Sequence, residues 1–247
     1  MTPSADPPSA ESEVPDAASA EPVSGLAPMP FPVPLMVLPE PVPAGAQALA
    51  RKRPKPGERR VQILQTLASM LEQPGAERVT TAALAGQLEV SEAALYRHFA
   101  SKAQMFEGLI EFIEQTVFSL VSQIADRETD ASTQVRRVLT VLLQFAEKNP
   151  GMTRVMVGDA LVFENERLVA RMNQFFDRIE SQLRQSLRER AQAAGSATPT
   201  VDANVQAAVL TAFVVGRLQR FTRAGFKRSP TEHLEASLTM LLGRVEA

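Results

Sequence analysis

Beyond residue 57, apolar positions recur at helical spacing almost without a break, and no stretch sustains the strict alternation of a strand. Val61, Leu64, Leu67, Ala68 and Leu71 fall three and four apart on one helix face, which Pro74 and Gly75 stop. A short helix is predicted from the Thr80/Thr81 caps to about Leu88, and another from a Ser91 cap to Phe99. A long helix follows from Ser101, whose hydroxyl can cap the turn carrying Lys102 and Gln104. Met105, Phe106, Leu109, Ile110, Ile113, Val117, Val121 and Ile124 form its apolar face. The next spans Thr133 to Lys148 and ends sharply at Asn149-Pro150-Gly151. After a short helix to about Phe163, a long amphipathic one from about Asn165 to Ala194 carries the stripe Leu168, Met172, Phe175, Ile179, Leu183 and Leu187. That stripe reads either as a coiled-coil seam or as the central helix of a domain. Gly195 to Thr200 is a predicted loop. Two closing helices, roughly Val201 to Ala224 and Thr231 to Val245, are separated by Gly225 and Pro230. The pattern predicts an all-α protein of about nine helices.

The first 50 residues break this pattern. Fourteen of the 18 prolines precede residue 57, and residues 1–50 carry six acids with no Lys or Arg. A Pro/Ala-rich acidic segment of this kind has too few large apolar groups to offset its ordering entropy, which predicts a disordered tail. Its one apolar cluster, Phe31 to Leu38, reads as a proline-stiffened linker or a short docking motif. The formal charge of −2 thus comprises −6 in residues 1–50 and +4 beyond them. At residue 51 the sign flips, because Arg51, Lys52, Arg53, Lys55, Arg59 and Arg60 against Glu58 make +5 over ten residues. Charge runs are commonly solvated faces, but this one leads directly into the first helix.

Zero cysteines remove thiol catalysis, disulfides and thiolate metal sites together. The two histidines, His98 and His233, are far apart in sequence, and no GxSxG accompanies either. No catalytic residue, metal site or cofactor is therefore expected. No segment reaches the ~18 continuous apolar residues of a membrane helix. Nothing before Phe31 has the basic start of a signal peptide. The chain reads as soluble and cytoplasmic, without a membrane partner.

The stretch from Thr80 to Lys102 fits a helix-turn-helix. Leu84, Ala85 and Leu88 line one face of its first helix, Leu95 and Phe99 one face of the second, and Val90 plugs the turn. In this motif the second helix presents its N-terminal residues to base edges, which here are Ser91, Glu92 and Ala93. Small side chains at Ala93 and Ala94 let that helix enter the major groove, where Tyr96 and Arg97 reach phosphates or bases. Tyr96, the one tyrosine of the chain, also suits a core edge, although Leu95 and Phe99 already supply the buried face. Arg97 and Lys102 are read as phosphate contacts, Thr80 and Thr81 as caps at the DNA side, and His98 as a packing residue.

The block AALAGQLEVSEAALYRHFASKAQMFEGLIEFIE resembles the DNA-binding head of the TetR family, which shows Leu-Tyr-x-His-Phe and then a Lys opening the fourth helix. Leu95, Tyr96, His98, Phe99 and Lys102 match. VSEAALYRHF, SKAQMFEGLIEFIE, FAEKNPGMTRVM and RMNQFFDRIESQLRQSLRER further resemble the nucleoid occlusion branch of that family, from about Glu58 to the end. The resemblance implies a TetR-like fold, with a basic arm and DNA-binding head over 51–118 and a helical regulatory and dimerisation domain over 119–247. One position departs from the family, whose turn carries Gly where this chain has Glu89. A left-handed backbone there would cost about 1–2 kcal/mol.

The resemblance also implies function. It implies a nucleoid-associated homodimer on two-fold double-stranded DNA sites that binds the C-terminal tail of FtsZ, the tubulin-like division protein, and inhibits ring assembly. The tail would lie in a groove between the fourth and fifth helices, against Phe112 and Thr116 on one side and Val141, Gln144, Lys148 and Asn149 on the other. From the residues alone, Phe112 and Val141 read as ordinary core. Leu120 stands where the family has a basic groove residue. Val205, Val209, Ala212, Phe213 and Gly216, then Leu234, Leu238 and Leu241, match where TetR-like chains pack a two-fold four-helix interface. The competing reading is a ligand-responsive TetR repressor, but no convergent polar set marks a small-molecule cavity, and no such ligand is expected.

Overall fold

The computed structural model describes residues 57–73 and 78–243, all within one unit, Leu35–Ala247. The acidic segment, Arg51, Lys52, Arg53, Lys55 and the Pro74-Gly75 stop lie outside the described residues. Within them are nine α-helices, one short 3-10 turn (Asp159–Leu161) and no strand. The helices are α1 (Glu58–Glu72), α2 (Thr81–Gln87), α3 (Glu92–Tyr96), α4 (Lys102–Arg127), α5 (Ala131–Lys148), α6 (Pro150–Met156), α7 (Glu166–Ala193), α8 (Pro199–Arg223) and α9 (Leu234–Leu242).

Side-chain caps start four of them. Thr80 accepts from the Ala83 N–H, Ser101 from Gln104, Asp130 from Thr133 and Asn165 from Arg167, each satisfying a donor the helix leaves orphaned. α7 and α8 end at left-handed glycines, Gly195 and Gly225, with the next N–H returning to the carbonyls of Ala191 and Phe221.

α5 is the hub, packed by α4, α6, α7, α8 and α9. Surrounded in this way, it buries Val138, Leu139, Val141, Leu142, Leu143, Phe145 and Ala146 on more than one side. All six residues of the Leu168–Leu187 stripe are buried in α7, which packs along α8 and against α5 and α4. The stripe is therefore a seam inside one chain. Three ion pairs tie α4 to α7 and the turn before it: Lys102 to Glu164, Glu107 to Arg167, and Glu114 to Arg171 through two bonds of 3.1 and 2.5 Å. Farther along, the Arg178 guanidinium lies 3.8 Å from the Phe118 ring centroid.

Several sequence expectations shift. Val61 points outward and Ile63 takes its place in the core, because the buried face of α1 follows Ile63, Leu67 and Leu71. α3 stops at Tyr96 rather than Phe99, and the short helix after α5 stops at Met156, where Gly158 turns left-handed. α8 begins two residues early, on a proline at its first position, where the missing N–H costs nothing. α9 begins at Leu234 rather than Thr231, because His233 is left-handed. Leu234 and Leu238 are buried within the chain and so are not available to a second copy. α8 instead leaves Val201, Val205, Val209 and Ala212 exposed, and α9 leaves Met240 88% exposed.

Candidate nucleic-acid interface

α2 and α3 pack through Leu84, Ala85, Leu88, Leu95 and Phe99, all buried. The turn between them is a Schellman closure. Glu89 N–H donates to the Gly86 carbonyl at 3.1 Å and Val90 N–H to Ala85 at 3.0 Å. Glu89 sits at the left-handed position with φ 53°, so this chain places a non-glycine side chain where glycine is favoured. Val90, expected to plug the turn, is only half-buried.

Thr80 and Thr81 divide the work expected of both. The Thr80 hydroxyl caps α2, whereas the Thr81 hydroxyl donates to Glu92 Oε2 at 2.6 Å and links the first turns of α2 and α3. Glu92 is itself exposed, with its carboxylate accepting this one bond. Ser91 occupies the cap position of α3 but makes no side-chain cap bond; its carbonyl accepts the Ala94 N–H at 2.9 Å. Ser91, Ala93, Tyr96 and Arg97 are exposed along one short helix, and Tyr96 is 45% exposed, which removes it from the core.

Two arm residues belong to α1. Arg59 donates to Gln62 at 2.8 Å. Arg60 donates to the His98 carbonyl at 3.2 Å and stacks 4.3 Å from the centroid of Phe99, so it ties α1 to the end of the helix-turn-helix from the exposed side, and His98 is itself exposed instead of packed. Lys102 opens α4 as expected, yet its ammonium is held by the Glu164 carboxylate. Glu164 is a partner 62 residues away that sequence spacing gave no means of seeing.

α1 also fixes the head on the body. A Cβ on Gly151, in the first turn of α6, would lie 2.0 Å from the Ala68 carbonyl oxygen, so only glycine admits this approach. Burial beside this contact pushes the Glu72 carboxyl above its ordinary pKa, against the lowering effect of the Gly151 N–H.

The expected groove is altered by the packing of α5. Val141 is 2% exposed and belongs to the core, and Asn149 is buried with its amide donating to the Phe145 carbonyl at 2.7 Å. Leu120 is buried as well. Phe112, Thr116 and Gln144 remain half-buried and Lys148 exposed, which leaves a narrower strip than the six residues expected.

Residues 63–109 match a family model described as bacterial regulatory proteins, tetR family, and residues 129–246 match an SlmA-like model described as a tetracyclin repressor-like C-terminal domain. The chain is 54% identical over 193 residues to nucleoid occlusion factor SlmA of Vibrio vulnificus (strain YJ016), covering 78% of this chain and 98% of that relative. It is 53% identical over 189 residues to the factor of the same name from Vibrio cholerae serotype O1, covering 76% and 96%. Among solved structures, the TetR family regulator PfmR from Thermus thermophilus aligns with a TM-score of 0.60 at 20% identity, over 76% of this chain and 97% of that one. FadR from Bacillus subtilis, solved with stearoyl-CoA, aligns at 0.59 and 14% identity, over 75% and 98%. These two likenesses speak to the fold.

Proposed function

The chain belongs to the SlmA family of nucleoid occlusion factors, within the TetR-type DNA-binding regulators, and from that premise we propose that it acts as a DNA-activated inhibitor of division. As a homodimer it reads two-fold chromosomal sites through paired α3 helices and, once seated, binds the FtsZ tail and blocks ring assembly over the nucleoid. The observation that carries this reading is the junction, in one chain, of a complete helix-turn-helix head with a body of the SlmA-like type.

The exposed apolar face of α8 supports the dimer. Val201, Val205 and Val209 are 58%, 62% and 48% exposed, and a Cβ on Gly216 would meet nothing within 4 Å. A monomer gains nothing from such a stripe, whereas a second copy of α8 buries it. The body partner is the FtsZ tail, a short mixed acidic and apolar peptide. Phe112 and Thr116 with Gln144 give it a shallow floor, and Lys148, at the carbonyl end of α5, meets its carboxylates.

Lys148→Glu tests the groove. The variant should fold and bind DNA as the parent does while losing affinity for an FtsZ tail peptide by at least tenfold in a fluorescence-anisotropy titration. Unchanged peptide affinity would remove Lys148 and the strip from the binding surface.

A further inference from the structure

The Vibrio vulnificus relative aligns over 98% of its own length but over 78% of this chain, which leaves a block of this chain with no counterpart there. The family models begin at residue 63, so the acidic Pro/Ala-rich segment ahead of the basic arm falls in that block. Within it, Leu35, Met36, Val37 and Leu38 are four consecutive large apolar residues, followed by Pro39 and Glu40. An apolar run closed by a carboxylate is the chemistry that the α4–α5 strip suits. Phe112, Thr116 and Gln144 give a half-buried floor. Lys148 is exposed at the carbonyl end of α5 and joins no ion pair among the described residues.

The connecting chain has a matching length. α1 packs against α4, where a Cβ on Gly108 would lie 3.1 Å from both Leu64 methyls. Gly108 stands one turn before Phe112 on α4, and Leu64 stands two turns into α1. The start of α1 at Gly57 therefore comes within roughly 25 Å of Phe112. Residues 41–56 connect Glu40 to Gly57, and a coil of that length spans roughly 20–25 Å. A tether whose span matches the separation gives an effective concentration on the order of millimolar. A segment with a dissociation constant of only about 0.1 mM then fills the strip roughly nine-tenths of the time.

We propose that residues 35–40 dock on the α4–α5 strip of their own chain and hold it closed to a partner peptide. Leu35, Met36 and Leu38 lie against Phe112 and Thr116, and Glu40 meets Lys148. The segment is a competitor built into the chain, and an FtsZ tail binds by displacing it. This regulation rests on the reading of the strip as the FtsZ-tail site, whereas the docking itself does not need FtsZ to be observed.

The lack of any native cysteine makes a direct test available in the full chain. Val37→Cys with Gln144→Cys should form a disulfide within one chain under mild oxidation, read by non-reducing gel and mass spectrometry. It should form at least fivefold faster than in Val37→Cys with Asp126→Cys, since Asp126 is exposed at the far end of α4, about 20 Å from Phe112. Separately, Leu35→Ser/Leu38→Ser/Glu40→Lys changes only residues outside the nine helices. It should keep the parent's melting profile and bind an FtsZ tail peptide at least fivefold more tightly by anisotropy, both proteins being free of DNA. Equal cross-linking at the two sites overturns the docking, as does a disulfide that joins two chains. So does a triple variant that binds the FtsZ peptide with the parent's affinity, which would leave the FtsZ reading intact. Fast cross-linking to position 144, with no FtsZ-peptide affinity in the parent or the triple variant, supports the docking and overturns the FtsZ reading instead.

Discussion

At the scale of single residues, the ion pair between Lys102 and Glu164 bears most directly on DNA binding. The ammonium that the sequence reserves for phosphate is held by a carboxylate from the turn before α7. An ion pair with partial solvent access is worth roughly 0.2–1 kcal/mol, so Glu164→Gln should tighten DNA binding by up to about fivefold. An electrophoretic mobility titration measures it, and weakened binding would show that Glu164 positions Lys102 instead of competing for it. A second residue gives a pH signature. Asp130 caps α5, and bonds from the Thr133 side chain and backbone N–H hold its carboxyl below the ordinary value of 3.8. Its contribution to stability is complete above that value and is lost as pH falls through the lower folded pKa. Asp130→Ala should cost about 1 kcal/mol at pH 7 and the gap to the parent should close in strong acid. Urea melts at the two pH values decide it, and a constant gap would contradict the cap.

At the scale of elements, what periodicity can see was legible. The α7 stripe is buried at all six positions, and the caps at Thr80 and Ser101 hold as read. What failed needed knowledge of neighbours. The groove role that the resemblance implied for Val141 gives way to the core place its own residue pattern suggested, since α5 is packed by five other helices, and Val61 loses its core place to Ile63 by a rotation of α1 that spacing alone does not fix. Glu89 was the reverse case: one departure from a family pattern located a left-handed residue, and the structure has it there. The Lys102–Glu164, Glu114–Arg171 and Gly151–Ala68 contacts join residues far apart in the chain, beyond the reach of any local pattern. Gly151→Ala tests the last of these. With backbone oxygen 2.0 Å from the new Cβ, α6 and α1 must separate, and the loss should be about 3 kcal/mol with weaker DNA binding as the head shifts. A thermal melt matching the parent's would contradict so close an approach.

For the whole molecule, the same core serves two surfaces. α1 to α3 form the head, α4 carries from it into the body, and α5 lies against both α4 and α8, whose exposed apolar face is proposed above to meet a second copy. Two α3 helices about one helical turn, ~34 Å, apart on DNA would read a two-fold site that one short helix cannot specify. On the proposed function, the peptide strip is formed by α4 and α5 and the DNA-reading helix is α3, so a peptide and DNA must be held together. The direct test of this arrangement is the affinity of a labelled FtsZ tail peptide for the purified dimer, measured by anisotropy with and without a saturating two-fold DNA duplex. A DNA-activated division inhibitor should bind the peptide, and bind it when loaded on DNA; no affinity in either state would contradict the account and favour a ligand-responsive repressor.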